Sequence, residues 1–143
     1  MSHTVTVSDV EIVNIAALKA AVNELKQKGV PCELLENVVP RAYYQNQQGM
    51  NEAAEFVLRN ESIPYDVGFY KTQNAKGKTV YEPRTDTFMN HIRNTYGNDK
   101  SALGKLTQLY SVHAVTQQAV RQGYRVQRKE QQDGTITLEL MGG

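Results

Sequence analysis

The chain has 143 residues, 40% of them hydrophobic and 22% charged, with a formal net charge of +1 and a single cysteine. That length suits one domain spanning 1–143 with a real core. The near-neutral charge argues against a dedicated nucleic-acid binder while leaving room for a local basic patch. Cys32 has no partner for an internal disulfide, and no stretch approaches the ~20 apolar residues of a membrane helix. The N-terminus lacks the basic and apolar regions of a signal peptide, so a soluble, cytoplasmic protein with no membrane contact is expected.

Residues 4–13 read as a strand with a fault. Val5 and Val7 point one way and Val10 and Ile12 the other, so the phase changes at Ser8-Asp9. Asn14 is the N-cap of a helix that carries Ile15, Leu18, Val22 and Leu25 on one face, with Ala17 and Ala21 beside them. Lys26 and Lys28 complement its dipole and Gly29 ends it. Val30-Pro31 is extended, Cys32 to Leu35 is a short strand, and Pro40 argues against a central strand there. Gln45 to Glu52 is polar and reads as a loop. Alternation predicts a strand through Ala54, Phe56 and Leu58, and another through Tyr65, Val67 and Phe69. Asn74 to Lys78 is a turn, and Thr79 to Glu82 returns as a strand stopped by Pro83. Asp86 caps a short helix bearing Phe88 and Ile92 and ended by Gly97.

The last forty residues organise the rest. From an N-cap at Ser101, the residues Ala102, Leu106, Leu109, Tyr110, His113 and Val120 share one helix side. Val112, Val115 and Ala119 widen that arc, which suits a helix packed into a sheet. Gly123 stops the helix and a hairpin follows. A three-residue loop, Gln132-Asp133-Gly134, pairs Val126 with Leu140 and Arg128 with Leu138. A two-residue turn would set Lys129 against Leu138, so burial favours the longer loop. Arg128 and Glu130 then share the apolar face near a tip that projects past the core. The order of elements predicts an α+β fold: an antiparallel sheet with helices packed on one face, ending in a long helix and a β-hairpin. The other sheet face is expected to be open to solvent or to a partner.

Four segments carry a family likeness: Ile12 to Ala21, Tyr65 to Phe69, Gln108 to His113, and Arg121 to Tyr124 followed by Asp133 to Ile136. In that order and spacing the chain resembles the hypothetical chloroplast reading frame thirty-five family, domain of unknown function twelve fifty-seven. The resemblance spans nearly the whole chain. It implies a soluble protein of the cytoplasm or stroma, of a kind found in plastids, cyanobacteria, other bacteria and cyanophages. It implies no activity and supplies no catalytic residues. The chain departs from the usual pattern in having no Trp and a longer Gln/Asn-rich segment near Gln45 to Met50.

No phosphate-binding loop, nucleophile elbow or zinc motif is present in the sequence. A buried His113 needs a hydrogen-bond partner, for which Asp66 is the candidate. The pair could serve as a general base with its orienting carboxylate, but a satisfied core histidine is the more economical reading. His3, His91, His113 and Cys32 have irregular spacing for a metal, and no cofactor is expected. Cys32 is read as a small buried hydrophobe, and Gly68 as a close-packing position. Arg121, Arg125, Arg128 and Lys129 form the basic cluster; Tyr43, Tyr44, Tyr70 and Tyr81 could supply stacking surfaces. The expected function is therefore a non-catalytic interaction domain. Its contact residues would be Arg121, Arg125, Arg128, Lys129, Tyr70 and Tyr81, and its partner an unknown protein or a second copy of the chain. Weak RNA binding by the same residues is the alternative, and a small-ligand or enzymatic site around His113 and Asp66 a further one.

Overall fold

The computed structural model describes residues 11–43, 49–97 and 103–142, and the backbone of residues 2–6. Among the described residues seven strands form two antiparallel sheets, accompanied by three α-helices. Strands β2 (Glu33–Val38), β3 (Ala54–Arg59), β4 (Val67–Gln73) and β5 (Thr79–Thr85) lie side by side in chain order. Strands β1 (Ser2–Thr6), β7 (Ile136–Gly142) and β6 (Tyr124–Glu130) form the second sheet, in the order β1-β7-β6. The helices are α1 (Ile15–Gln27), α2 (His91–Tyr96) and the long α3 (Gly104–Arg121). The fold is α+β, as the pattern of elements predicts. The second sheet is a finding: β1 pairs with β7 from Ser2↔Met141 to Thr6↔Thr137, joining the two ends of the chain.

Helix α1 starts as expected, with the Asn14 side chain accepting the Ala17 N–H at 3.0 Å. Its Leu18, Val22 and Leu25 pack with Leu106, Leu109 and Tyr110 of α3 over Leu58, Val67 and Phe69. The helices thus cover one face of the four-stranded sheet. The opposite flank of α3 presents Val112 and Ala119 to Ile136, Leu138 and Leu140. A helix that serves two apolar surfaces explains the wide arc. Val120 departs from it and is 56% exposed. Leu103, with no side-chain cap, occupies the N-cap; Ser101 and Ala102 lie outside the described residues.

The hairpin has the expected register, with Val126↔Leu140 and Arg128↔Leu138. Gln131 N–H donates to the Thr135 carbonyl at 2.8 Å, and Gly134, at φ +88°, donates back to Gln131. That is a three-residue loop with glycine at its left-handed position.

Four expectations need correction. The second face of the four-stranded sheet is covered at its centre. Val57, opposite Gly68, is fully buried there, and a Cβ on Gly68 would come within 2.9 Å of Pro40 Cγ. Pro83 does not stop β5, which runs on to Thr85 with Pro83 opposite Phe69. The Tyr81 N–H faces out of the sheet toward the Ile12 carbonyl at 2.8 Å. Pro83, two residues on, therefore has its nitrogen on the side where the ladder needs no donor. Ile12, expected within the strand over 4–13, is buried beside that edge and lies in no strand; residues 7–10 lie outside the described residues. The Asp86 carboxylate caps a 3-10 turn over Phe88–Asn90, accepting the Phe88 N–H at 2.9 Å, and α2 begins only at His91.

Candidate interaction surface

His113 and Asp66 do not form the expected pair. The His113 Nε2 lies 2.8 Å from Glu24 Oε1 on α1. Arg128 of β6 reaches the same carboxylate with both terminal nitrogens, Nη1 at 2.9 Å and Nη2 at 2.8 Å. Lys28 stands 3.3 Å from Glu24, and Arg128 also meets Glu130 at 2.9 Å. The Arg128 hydrogen bonds hold the Glu24 carboxyl down at about 2 against the opposing effect of burial, with help from His113. Glu24 in turn raises Arg128. Three elements meet here, so the group is a clamp that fastens α1, α3 and β6. Arg128 thus folds inward onto α1, while the tip residues Gln131 to Gly134 are exposed. The carboxylate that would orient His113 as a base is already shared with a guanidinium.

Asp66 is fully buried. Burial alone would raise its carboxyl, but hydrogen bonds from Arg59 and Arg41 outweigh it and hold the group below the ordinary value. Arg41 Nη2 and Arg59 Nη2 each stand 2.8 Å from it, the two Nε atoms also donate, and the Arg41 backbone N–H donates at 2.8 Å. This network ties the segment after β2 to the end of β3 and the start of β4. Cys32 is buried, and that burial pushes its thiol up, away from a reactive thiolate. Tyr65 meets the edge of the His91 ring at 5.6 Å. Among the described residues no group of three or more metal-ligating side chains is placed to hold an ion.

The basic cluster is split by strand alternation. Arg125, Gln127 and Lys129 are exposed on the outward face of β6, while Arg128 faces in. Lys129 pairs with Glu139 of β7 at 2.9 Å. Arg121 is exposed in the last turn of α3. Tyr70 and Tyr81 belong to the other sheet and point to opposite faces of it. The Tyr70 hydroxyl donates to the Glu52 carbonyl at 2.8 Å, and Arg84 sits 4.4 Å over its ring. Tyr81 meets the edge of Phe56 at 5.9 Å, beside the core. These tyrosines do not form one platform with the hairpin. Tyr44 lies outside the described residues, as does the His3 side chain.

A different surface is assembled by parts that sequence reasoning kept separate. Tyr43 stacks on Phe88 with centroids 4.7 Å apart, and Met89 follows Phe88 in the chain. Tyr43 is 63% exposed, Phe88 37% and Met89 68%. Met89 and Asn90 have φ of +59° and +61°, two successive left-handed residues that are not glycine. Each such residue costs on the order of 1 kcal/mol or more and needs its surroundings to hold it. The spacing of Phe88 and Ile92 suggests one helix face, but the two left-handed residues break that phase. Ile92 is fully buried while Phe88 and Met89 turn out. The signal available in the sequence was Phe88-Met89 bracketed by the capping residues Asp86 and Asn90.

A family model described as "Protein of unknown function (DUF1257)" matches residues 21–139. The chain belongs to that family. The DUF1257 match takes in the Glu24 clamp, the Asp66 network and the Tyr43, Phe88 and Met89 surface. No curated protein and no solved structure matches the chain. No helix among the described residues is long and apolar enough to cross a membrane.

Proposed function

We propose that the protein is a non-catalytic interaction domain of the cytoplasm that binds another protein through Tyr43, Phe88 and Met89. The observation that carries this reading is the exposed aromatic stack beside an exposed methionine on a backbone with two left-handed residues. Tyr, Phe and Met are enriched at the centres of interfaces, and a pre-formed aromatic anchor loses little freedom on binding. The two best-formed ionic clusters support it differently: each joins separate elements of the fold, and each carboxylate is already engaged by arginine. The test is capture of partners from nuclease-treated lysate by the wild type and by Met89→Asp. Selective loss of one captured protein supports the reading, and identical capture by the variant refutes it.

Nucleic-acid binding is the second reading, favoured by Arg125 and Lys129 sharing the exposed face of β6. It predicts weak retardation of RNA that falls steeply with salt, and no retardation at low salt removes it.

A further inference from the structure

We infer that the free edge of β6 accepts an acidic, extended segment of another protein as a fourth strand of the β1-β7-β6 sheet. This surface is separate from the aromatic stack, so either can fail without the other.

Among the described residues β6 ends the strand order of its sheet. In an antiparallel ladder, residues alternate between pairs that exchange backbone hydrogen bonds and pairs that do not. The bond from Gln131 N–H to the Thr135 carbonyl sets the phase. Lys129↔Thr137, Gln127↔Glu139 and Arg125↔Met141 are then the bonded pairs. The backbone N–H and C=O groups of Val126, Arg128 and Glu130 consequently point away from β7, toward the free edge. The inward side chains of two of these residues fix that edge. Val126 packs against the hairpin cluster, and Arg128 is clamped on Glu24. Such a preformed edge loses little freedom when a strand is added.

Charge selects the partner. Arg125 and Lys129 flank Gln127 on the outward face, and Arg121 is exposed at the end of α3. Among the described residues, Glu139 is the carboxylate paired with Lys129, and no carboxylate lies within ion-pair distance of Arg121 or Arg125. A second copy fits poorly. Full antiparallel overlap of two β6 strands centres on Gln127 and sets Arg125 opposite Lys129 of the other copy, at both ends. Like charges directly opposed destabilise a strand pair. A strand with acidic residues four positions apart on one face and apolar residues between them on the other meets Arg125 and Lys129 with opposite charge and lies beside Val126.

The test uses the full chain, isotope-labelled, with the capped peptide Thr-Glu-Val-Thr-Val-Glu-Thr followed by NMR. The inference predicts saturable shifts at the Val126, Arg128 and Glu130 amides and slower hydrogen exchange at those sites. Replacing both peptide Glu residues by Lys, or making the exposed Arg125→Glu substitution, should weaken binding about tenfold. Absence of shifts at millimolar peptide overturns the inference. So do shifts confined to Tyr43, Phe88 and Met89, or equal binding of the lysine peptide.

Discussion

Glu24→Gln removes the charge at the centre of the clamp while keeping its shape. The carboxyl falls from an ordinary 4.5 to about 2 in the fold. At 1.36 kcal/mol per unit this corresponds to about 3 kcal/mol. Arg128 and His113 are each 27% exposed, and solvent screening reduces the figure to about 2 kcal/mol. For a chain of this size that is a fall in Tm of roughly 6 °C. The sign follows from the lowered value. The contribution is complete above pH 4.5 and is lost as pH falls toward 2. Urea unfolding of both proteins between pH 7 and pH 2.5 should show a gap that is full at neutrality and closes in acid. Arg128→Met should cost much less in the Glu24→Gln background than in the wild type. A gap below about 0.5 kcal/mol at pH 7 would refute the reasoning, since that is the scatter of ordinary surface substitutions. A gap that persists unchanged in acid would refute it equally.

Asp66→Asn leaves Arg41 and Arg59 facing a neutral amide at a fully buried site, and should cost about 3 kcal/mol by urea unfolding. A variant as stable as the wild type would show that the network is dispensable. Gly68→Ala places a Cβ 2.8 Å from Tyr70 Cε2 and 2.9 Å from Pro40 Cγ. It should lose about 1–3 kcal/mol through overpacking, and an unchanged denaturation midpoint would mean that the covering segment yields freely. The Tyr96 hydroxyl is buried without a hydrogen-bond partner among the described residues. Tyr96→Phe should therefore match the wild type or gain up to about 1 kcal/mol, and a clear loss would reveal a partner for that hydroxyl.

Much of the fold was legible because its signals are local. Asn14 caps α1 through an amide three residues away, and Gly123 at φ +91° stops α3. The hairpin register followed from which side chains could be buried, since one slip would have set Lys129 against Leu138. What escaped was long-range. Glu24 looks like an exposed helix residue beside Lys28 at i,i+4, and its partner Arg128 is 104 residues away. The same holds for β1, whose own pattern of alternation does not say that β7 is its neighbour. Pro83 reads as a stop because a proline ends a central strand, yet it is tolerated on an outer edge. Phe88 turns out of the expected helix face because a regular period does not register left-handed backbone at Met89 and Asn90. The candidate surface was legible only in its ingredients, since Tyr43 and Phe88 meet through the fold.

A photo-crosslinking amino acid at position 89, in the full chain and in the cells that make it, tests the interaction reading most directly. The same group in place of the exposed Glu55 serves as the control. The account predicts one reproducible protein adduct from position 89, absent from position 55 and lost when Tyr43 is also changed to Ser. No adduct, or the same adducts from both positions, would contradict it.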